Sequence, residues 1–464
     1  MLPWVNARRK RGSIKVMLNF EKNMGDSRTV ELLLSALVVG GIVWVFLFFL
    51  SNGYLPTPFF DDTNDTFMDW YNSAYWVYKP GAYDIWGSVY PPLTFLFLRL
   101  FSVPSCYVDS ELIARNCDHQ GVIVLLIFSV INIIILYVIY QKINPKTALP
   151  RAIALGLGLP MLFAVERGNL IVPCFTFFIL GHGRLLKSAW AKWLCLAASI
   201  NFKPYLIITV LGIFLRRRWR WAEGCTVAIV TLYALSYAAF GQGSFIQILK
   251  NIGGFSGDSP VMRVDAIIYS PTYLELLKLL KSSFPIMQII GSRPLETMEI
   301  VLPIAMQIGE IGALTCIFGA IWKPNAVPTY RIGALVMAIL LTVSEPGGYA
   351  CVFLFFFVFF ERWNNPGQIM ALVATYALCI PWDYQVVQIA HELKYSYLSG
   401  LTVNYGMGIN VGAFIRPALL LMVEYGLVIA TLSDLFRAPA DALSRPRPFS
   451  LTNSSARSAD FMRG

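Results

Sequence analysis

Four carboxylates, Asp61, Asp62, Asp65 and Asp69, fall within nine residues in Asp61-Asp62-Thr63-Asn64-Asp65-Thr66-Phe67-Met68-Asp69-Trp70-Tyr71-Asn72. Asp65 and Asp69 are four apart, so on a helix they share one face. Two like charges there disfavour each other and raise one pKa, which suits a general base. The plain alternative is a solvated loop running into an aromatic belt of Trp70, Tyr71, Tyr75, Trp76 and Tyr78. Three further polar groups interrupt long apolar runs: Glu166-Arg167-Gly168-Asn169, Asn201-Phe202-Lys203-Pro204 and Ser344-Glu345-Pro346-Gly347-Gly348. Glu166 and Arg167 can pair with each other. Lys203 has no acid beside it in sequence, which makes it the better candidate for an anionic ligand such as a phosphate.

The elements that must hold these residues are membrane helices. Of the 464 residues, 56% are hydrophobic and only 14% charged, against about 25% charged in soluble domains. That excludes an ordinary soluble fold and a disordered chain. The net charge of +10 sits in short basic clusters between apolar runs, a placement that fits positive-inside sorting and not nucleic-acid binding.

A crossing helix needs about 20 apolar residues. Full-length candidates are 31–50, 121–140, 222–240, 299–322, 367–382 and 413–434. The broken runs 151–181, 189–215 and 331–360 are flanked on both sides by Lys or Arg, so each is expected to be a hairpin of two short helices. Six full spans and three hairpins make about 12 passes of an all-α polytopic membrane protein. Residues 1–30 form a basic cytoplasmic N-terminus, 31–434 the membrane domain, and 435–464 a disordered cytoplasmic tail. Large outer loops are expected at 51–120, 241–298 and 383–412, and the first carries more acids than bases. Its segment 91–104 reads as an amphipathic helix on the outer face. An arm of 12 residues rises only about 18 Å against a core of about 30 Å. The hairpin tips then lie below the outer surface, where polar groups line a cavity. Glu166, Arg167, Asn169, Lys203 and Glu345 are expected to line it, with Tyr90 from Tyr83-Asp84-Ile85-Trp86-Gly87-Ser88-Val89-Tyr90-Pro91-Pro92-Leu93.

Cys106 and Cys117 are the cysteines outside expected spans, and an oxidising outer compartment would allow a bridge between them; two free thiols is the alternative. No CxxC or HExxH occurs, so no metal site is expected.

A first span, an Asp-rich opening of the outer loop, Tyr90-Pro91-Pro92-Leu93, Gly168-Asn169 and Lys203-Pro204 between short spans occur in an order that resembles the GT-C membrane glycosyltransferases. The resemblance is greatest to glycosyltransferase family 87, whose members resemble polyprenyl-phosphate-mannose-dependent mannosyltransferases, and it covers roughly residues 30–220. It implies loop helices capping a module of spans, with the active site at their junction. It also implies a polyprenyl-phosphate sugar donor, a glycolipid or glycan acceptor, and an acidic base at Asp65 or Asp69. The Asp-to-Tyr spacing departs from the family pattern, so Asp61 and Asp62 stay in play. In such a transferase, Lys203 and Arg167, with Arg99 or Lys79, would bind the donor phosphate without an obligatory metal. The expected place is a cell membrane, the bacterial plasma membrane, with both termini cytoplasmic. The rival readings are a lipid-linked glycan flippase or transporter, and a polysaccharide polymerase or ligase.

Overall fold

The computed structural model describes residues 27–59, 65–215, 218–256, 270–274, 277, 291–344 and 347–437. Asp61, Asp62, Glu345 and both terminal segments, 1–26 and 438–464, therefore lie outside the described residues, as does most of 257–290. The chain is mostly helical. In order come α1 (Ser27–Asn52), α2 (Met68–Val77), α3 (Pro92–Leu100), α4 (Glu111–Cys117), α5 (Gln120–Gln141), α6 (Ala148–Gly156), α7 (Leu159–Glu166), α8 (Ile171–His182) and α9 (Ala189–Phe202). There follow α10 (Ile208–Leu215), α11 (Trp219–Phe240), α12 (Phe245–Ser256), α13 (Ser292–Trp322), α14 (Thr329–Val343), α15 (Cys351–Val358) and α16 (Pro366–Leu378). Strands β1 (Gln385–Tyr395) and β2 (Thr402–Asn410) precede the last helix, α17 (Gly412–Arg437).

Among the described residues, six helical stretches are long and apolar enough to cross a membrane: α1, α5, α6 with α7 across a break at Leu157–Gly158, α11, α13 and α17. Five coincide with expected full spans. The sixth expected one, 367–382, does not reach full length. Its helix α16 has 13 residues, about 20 Å of rise. It stops before Pro381, and the Cys379 carbonyl accepts from the Leu159 amide at 2.8 Å. Proline cannot continue a helix, so the chain leaves α16 inside the bundle.

Each broken run is interrupted where the polar residues stand, and both arms return to one end. A side chain at Gly183, just past α8, would meet Ile139 near the end of α5, beside the turn into α6. In the second run Trp193 packs on Trp221 and Phe214 on Trp219, both at the start of α11. In the third, Arg331 Nε lies 2.5 Å from Glu361 Oε1, and Tyr330 stacks on Phe360.

That common end is locked by buried ion pairs. Glu31 accepts from Arg151 at 2.6 and 2.8 Å, from Trp363 at 2.6 Å and from Tyr376 at 2.8 Å. Arg151 also donates to the Glu361 carbonyl at 3.0 Å. Arg331 binds Glu361 and Asp434, and Gln368 adds a bond to Glu361 at 2.7 Å. Arg151 and Arg331, which stand among the positive charges flanking the broken runs, are thus 3% and 1% exposed. Guanidinium groups suit such buried pairs because their planar fork meets a carboxylate with two bonds.

The opposite end carries the loop helices α2, α3 and α4. Pro92 opens α3, where a missing N–H is harmless. Phe95 stacks on Phe240 at 4.8 Å and Phe97 meets Phe202 edge-on, so α3 rests on the ends of α11 and α9. Cys106 and Cys117 are joined, with Cα atoms 5.6 Å apart. Asp118 is a structural acid: its carboxylate accepts from the Val103 amide, the Tyr107 hydroxyl and the Gln120 amide.

Residues 383–412, expected only as a loop, form an antiparallel hairpin in which Tyr395 faces Thr402 and Gln385 faces Asn410. Val403 and Tyr405 are buried while Thr402 and Asn404 are exposed, the alternation of a strand with one covered face. The hairpin leans on the end of α1, where Tyr54 meets Tyr405 at 5.3 Å.

Candidate functional site

The segment Asp65–Asp69 is gripped by the tip of the first hairpin. The Phe67 amide donates to the Glu166 carbonyl at 2.8 Å, and the Asp69 amide donates to the Arg167 carbonyl at 3.0 Å. Gly168 makes this approach possible. Its φ is +69°, and a Cβ there would stand 2.6 Å from the Phe67 carbonyl oxygen. Phe67 itself has φ 62° at the N-cap of α2, a conformation unfavourable for a bulky side chain and held by its surroundings. From the other side the buried Arg115 donates to the Thr66 carbonyl at 2.9 Å and lies over the Tyr397 ring at 4.2 Å.

Side chains complete the joint. Arg167 donates through Nη1 to Asp65 Oδ2 and through Nη2 to Asp69 Oδ1, the latter at 3.1 Å. Asn169 donates to Asp69 Oδ2 at 2.6 Å and accepts from the Ile171 amide at 3.0 Å, starting α8. Both oxygens of Asp69 are engaged, whereas Asp65 Oδ1 accepts no bond among the described residues. Asp65 is also the more exposed, 32% against 20%. The expected alternatives for Arg167 were a pair with Glu166 or a phosphate contact across a cavity. Its ion pairs are instead with the two aspartates. Glu166 is buried and accepts from Thr66 Oγ1 at 3.4 Å, and its other oxygen has no hydrogen-bond partner among the described residues.

Lys203 ends α9 in an extended conformation, because the following Pro204 disfavours helix there. It is 8% exposed. Its ammonium donates to the Tyr90 hydroxyl at 3.4 Å and lies 4.6 Å from that ring's centre. No carboxylate pairs with it among the described residues. Burial, and then Asp69, push the Tyr90 phenol above its ordinary value, with Arg167 opposing. Tyr349, from the third hairpin, packs its ring on Phe163 of the first, with centroids 5.7 Å apart. Asp65, Asp69, Arg167, Asn169, Glu166, Tyr90 and Lys203 thus gather at one place. Arg99 does not join them; it is exposed in the last turn of α3. Lys79 is engaged elsewhere, with the Val108 carbonyl at 2.7 Å.

Sequence reasoning did not single out Phe67, Arg115, Tyr205, Tyr349 or Tyr397. Tyr205 carried a usable signal, standing two residues from Lys203 at a helix break. Beside Tyr349 lies a small apolar cavity of about 20 Å³, lined by Pro58, Leu159, Phe163, Cys351, Phe355 and Leu378, with Arg416 also on its wall. In comparisons with family models, curated proteins and solved structures, nothing matches this chain.

Proposed function

We propose that this chain is a GT-C-type membrane glycosyltransferase that moves a hexose, mannose being one candidate, from a polyprenyl phosphate to a glycolipid or glycan acceptor. The observation that carries the reading is a partly exposed aspartate, Asp65, bound to Arg167, in a site that also holds a buried ammonium, Lys203, paired with no carboxylate among the described residues. A base and an anion site at one junction are the two parts that glycosyl transfer from a lipid phosphate needs. Asp65 Oδ1 takes the proton of the acceptor hydroxyl as its oxygen bonds to the anomeric carbon. The bond from that carbon to the phosphate oxygen breaks, and its electron pair leaves with the lipid phosphate, which Lys203 holds. Asp69 keeps Arg167 and Asn169 in position. In this reading the chain crosses a bacterial plasma membrane about twelve times, with both termini cytoplasmic and the site toward the outer face. No obligatory metal is part of the proposal, because Lys203 offsets the leaving phosphate.

The test is to incubate purified protein with radiolabelled polyprenyl-phosphate sugars and membrane glycolipids. Label should leave the donor lipid and appear in the acceptor fraction. Donor left intact with every sugar and acceptor tried would remove the transferase reading.

A further inference from the structure

Two acids in the last third of the chain take no part in the site described above. Glu424 lies 12 residues from Gly412 and 13 from Arg437 in α17. Those stretches rise about 18 and 20 Å, which puts Glu424 near the middle of a bilayer core of about 30 Å. It is fully buried, and neither carboxyl oxygen has a hydrogen-bond partner among the described residues. It packs against α13, where a Cβ on Gly309 would stand 2.9 Å from Glu424 Oε2. The next residue, Glu310, stands at the same depth, is only half-buried, and forms no ion pair among the described residues. Hydrocarbon offers a carboxyl group no donor, so an acid at this depth needs a partner supplied by protein.

The outward face of α13 marks where that partner lies. Its small residues turn toward α17: a side chain at Gly312 would meet Val428, and Cys316 donates to the Val428 carbonyl at 3.6 Å. On the opposite face Ile300, Ile304, Gln307, Ile311, Leu314 and Phe318 are all exposed. Their spacing alternates four and three, the seam by which two helices pack. Gln307 is the polar member of the seam. Glu310 flanks it, at the position from which charges select a partner helix.

We propose that this face of α13 docks a transmembrane helix of another protein, one that carries a lysine or arginine at mid-membrane depth. Charge selects the occupant. Two acids and an amide at one depth call for a cation with several N–H donors. A second copy of this chain does not supply it. The long helices α1, α11, α13 and α17 carry Lys or Arg only within five residues of an end, and α5 carries none. Lipid amines stay in the headgroup layer, about 15 Å away.

The test uses the full chain in phosphatidylcholine vesicles with two labelled apolar peptides of about 20 residues, one with a central arginine and one with leucine in its place. Association is read as fluorescence transfer from peptide to chain. The arginine peptide should associate at least about tenfold more strongly than the leucine peptide. Glu310→Gln keeps the shape, removes the charge and should abolish most of that preference. Gln307→Leu, which replaces an exposed amide by an apolar side chain, should weaken it severalfold, and it gives a second reading if Glu310→Gln does not elute as a folded species. Equal association of the two peptides, or a preference unchanged in the folded variants, overturns the proposal. Transfer between two labelled copies of the chain, lost in Gln307→Leu, would also overturn it by assigning the face to a dimer.

Discussion

Arg167 donates through Nη2 to Asp69 Oδ1 at 3.1 Å, joining residues 98 positions apart in the chain. The second Asp69 oxygen is taken by Asn169. With a donor on each oxygen, that carboxylate is fixed from two sides, which suits it to hold. Asp65 shares the same guanidinium, but its Oδ1 accepts no bond among the described residues. The two acids, equivalent by spacing, are separated in role by their hydrogen bonds.

Kinetics should divide them. Asp65→Asn removes the proton acceptor with almost no change of shape, and sugar transfer should fall by about 10²-fold or more with donor binding preserved. Asp69→Asn should loosen Arg167 and Asn169, changing kcat and KM together. An Asp65→Asn enzyme with wild-type turnover would move the base to another residue.

Gly168→Ala tests the grip of the hairpin tip on Phe67. The new Cβ meets backbone, not a flexible side chain, and the positive φ disfavours any L residue. A loss of about 1–3 kcal/mol of stability is expected, with transfer reduced more than tenfold. Wild-type transfer and an unchanged melting curve would show that the 67–69 backbone does not depend on this contact.

Glu31→Gln at the other end should leave Arg151 buried without its counter-charge. Breaking one side of a buried pair costs about 3–5 kcal/mol. The expected readout is a sharp fall in the monodisperse folded fraction on size-exclusion chromatography, with kcat per folded molecule unchanged. Equal yields for variant and wild type would contradict the assignment.

Alkaline titration should report the loop helices. Burial holds the phenols of Tyr71, Tyr83 and Tyr107 above the ordinary value of 10.0, with Asp118 reinforcing it at Tyr71 and Tyr107. In the unfolded chain these groups ionise near 10.0, while the fold keeps them neutral. Their contribution is therefore complete below that pH and lost as pH rises above it. Thermal midpoints should decline above about pH 10, with phenolate absorbance from these rings rising only on unfolding. Tyr107→Phe should flatten part of the decline, and a midpoint independent of pH in this range would refute the linkage.

The site was legible where chemistry and chain breaks coincide. Arg167, Lys203 and the 344–348 segment stand at helix breaks because glycine, proline and charge interrupt otherwise unbroken apolar runs. Asp65 and Asp69 were legible by spacing, but their different roles were not, since these depend on partners 98 to 102 residues away. Arg151 and Arg331 were legible as positive charge and illegible as buried structure, because Glu31, Glu361 and Asp434 reach them only through packing. The hairpin at 385–410 was hidden for another reason. Its strands join a run of eleven residues with mixed polarity to a run rich in glycine, and local propensity there is weak.

The acids and arginines of the locked end leave the ribosome at different times. Glu31 is made long before Arg151, so that arginine meets its counter-charge as soon as it emerges. Arg331 precedes Glu361 by 30 residues and Asp434 by 103. During that interval it is a solitary cation at the mouth of an apolar helix, and such a group resists entry into hydrocarbon. The third hairpin therefore docks only after translation has passed its second arm. A nascent chain arrested between these positions presents a charge that marks it as incomplete, whereas the finished chain conceals it.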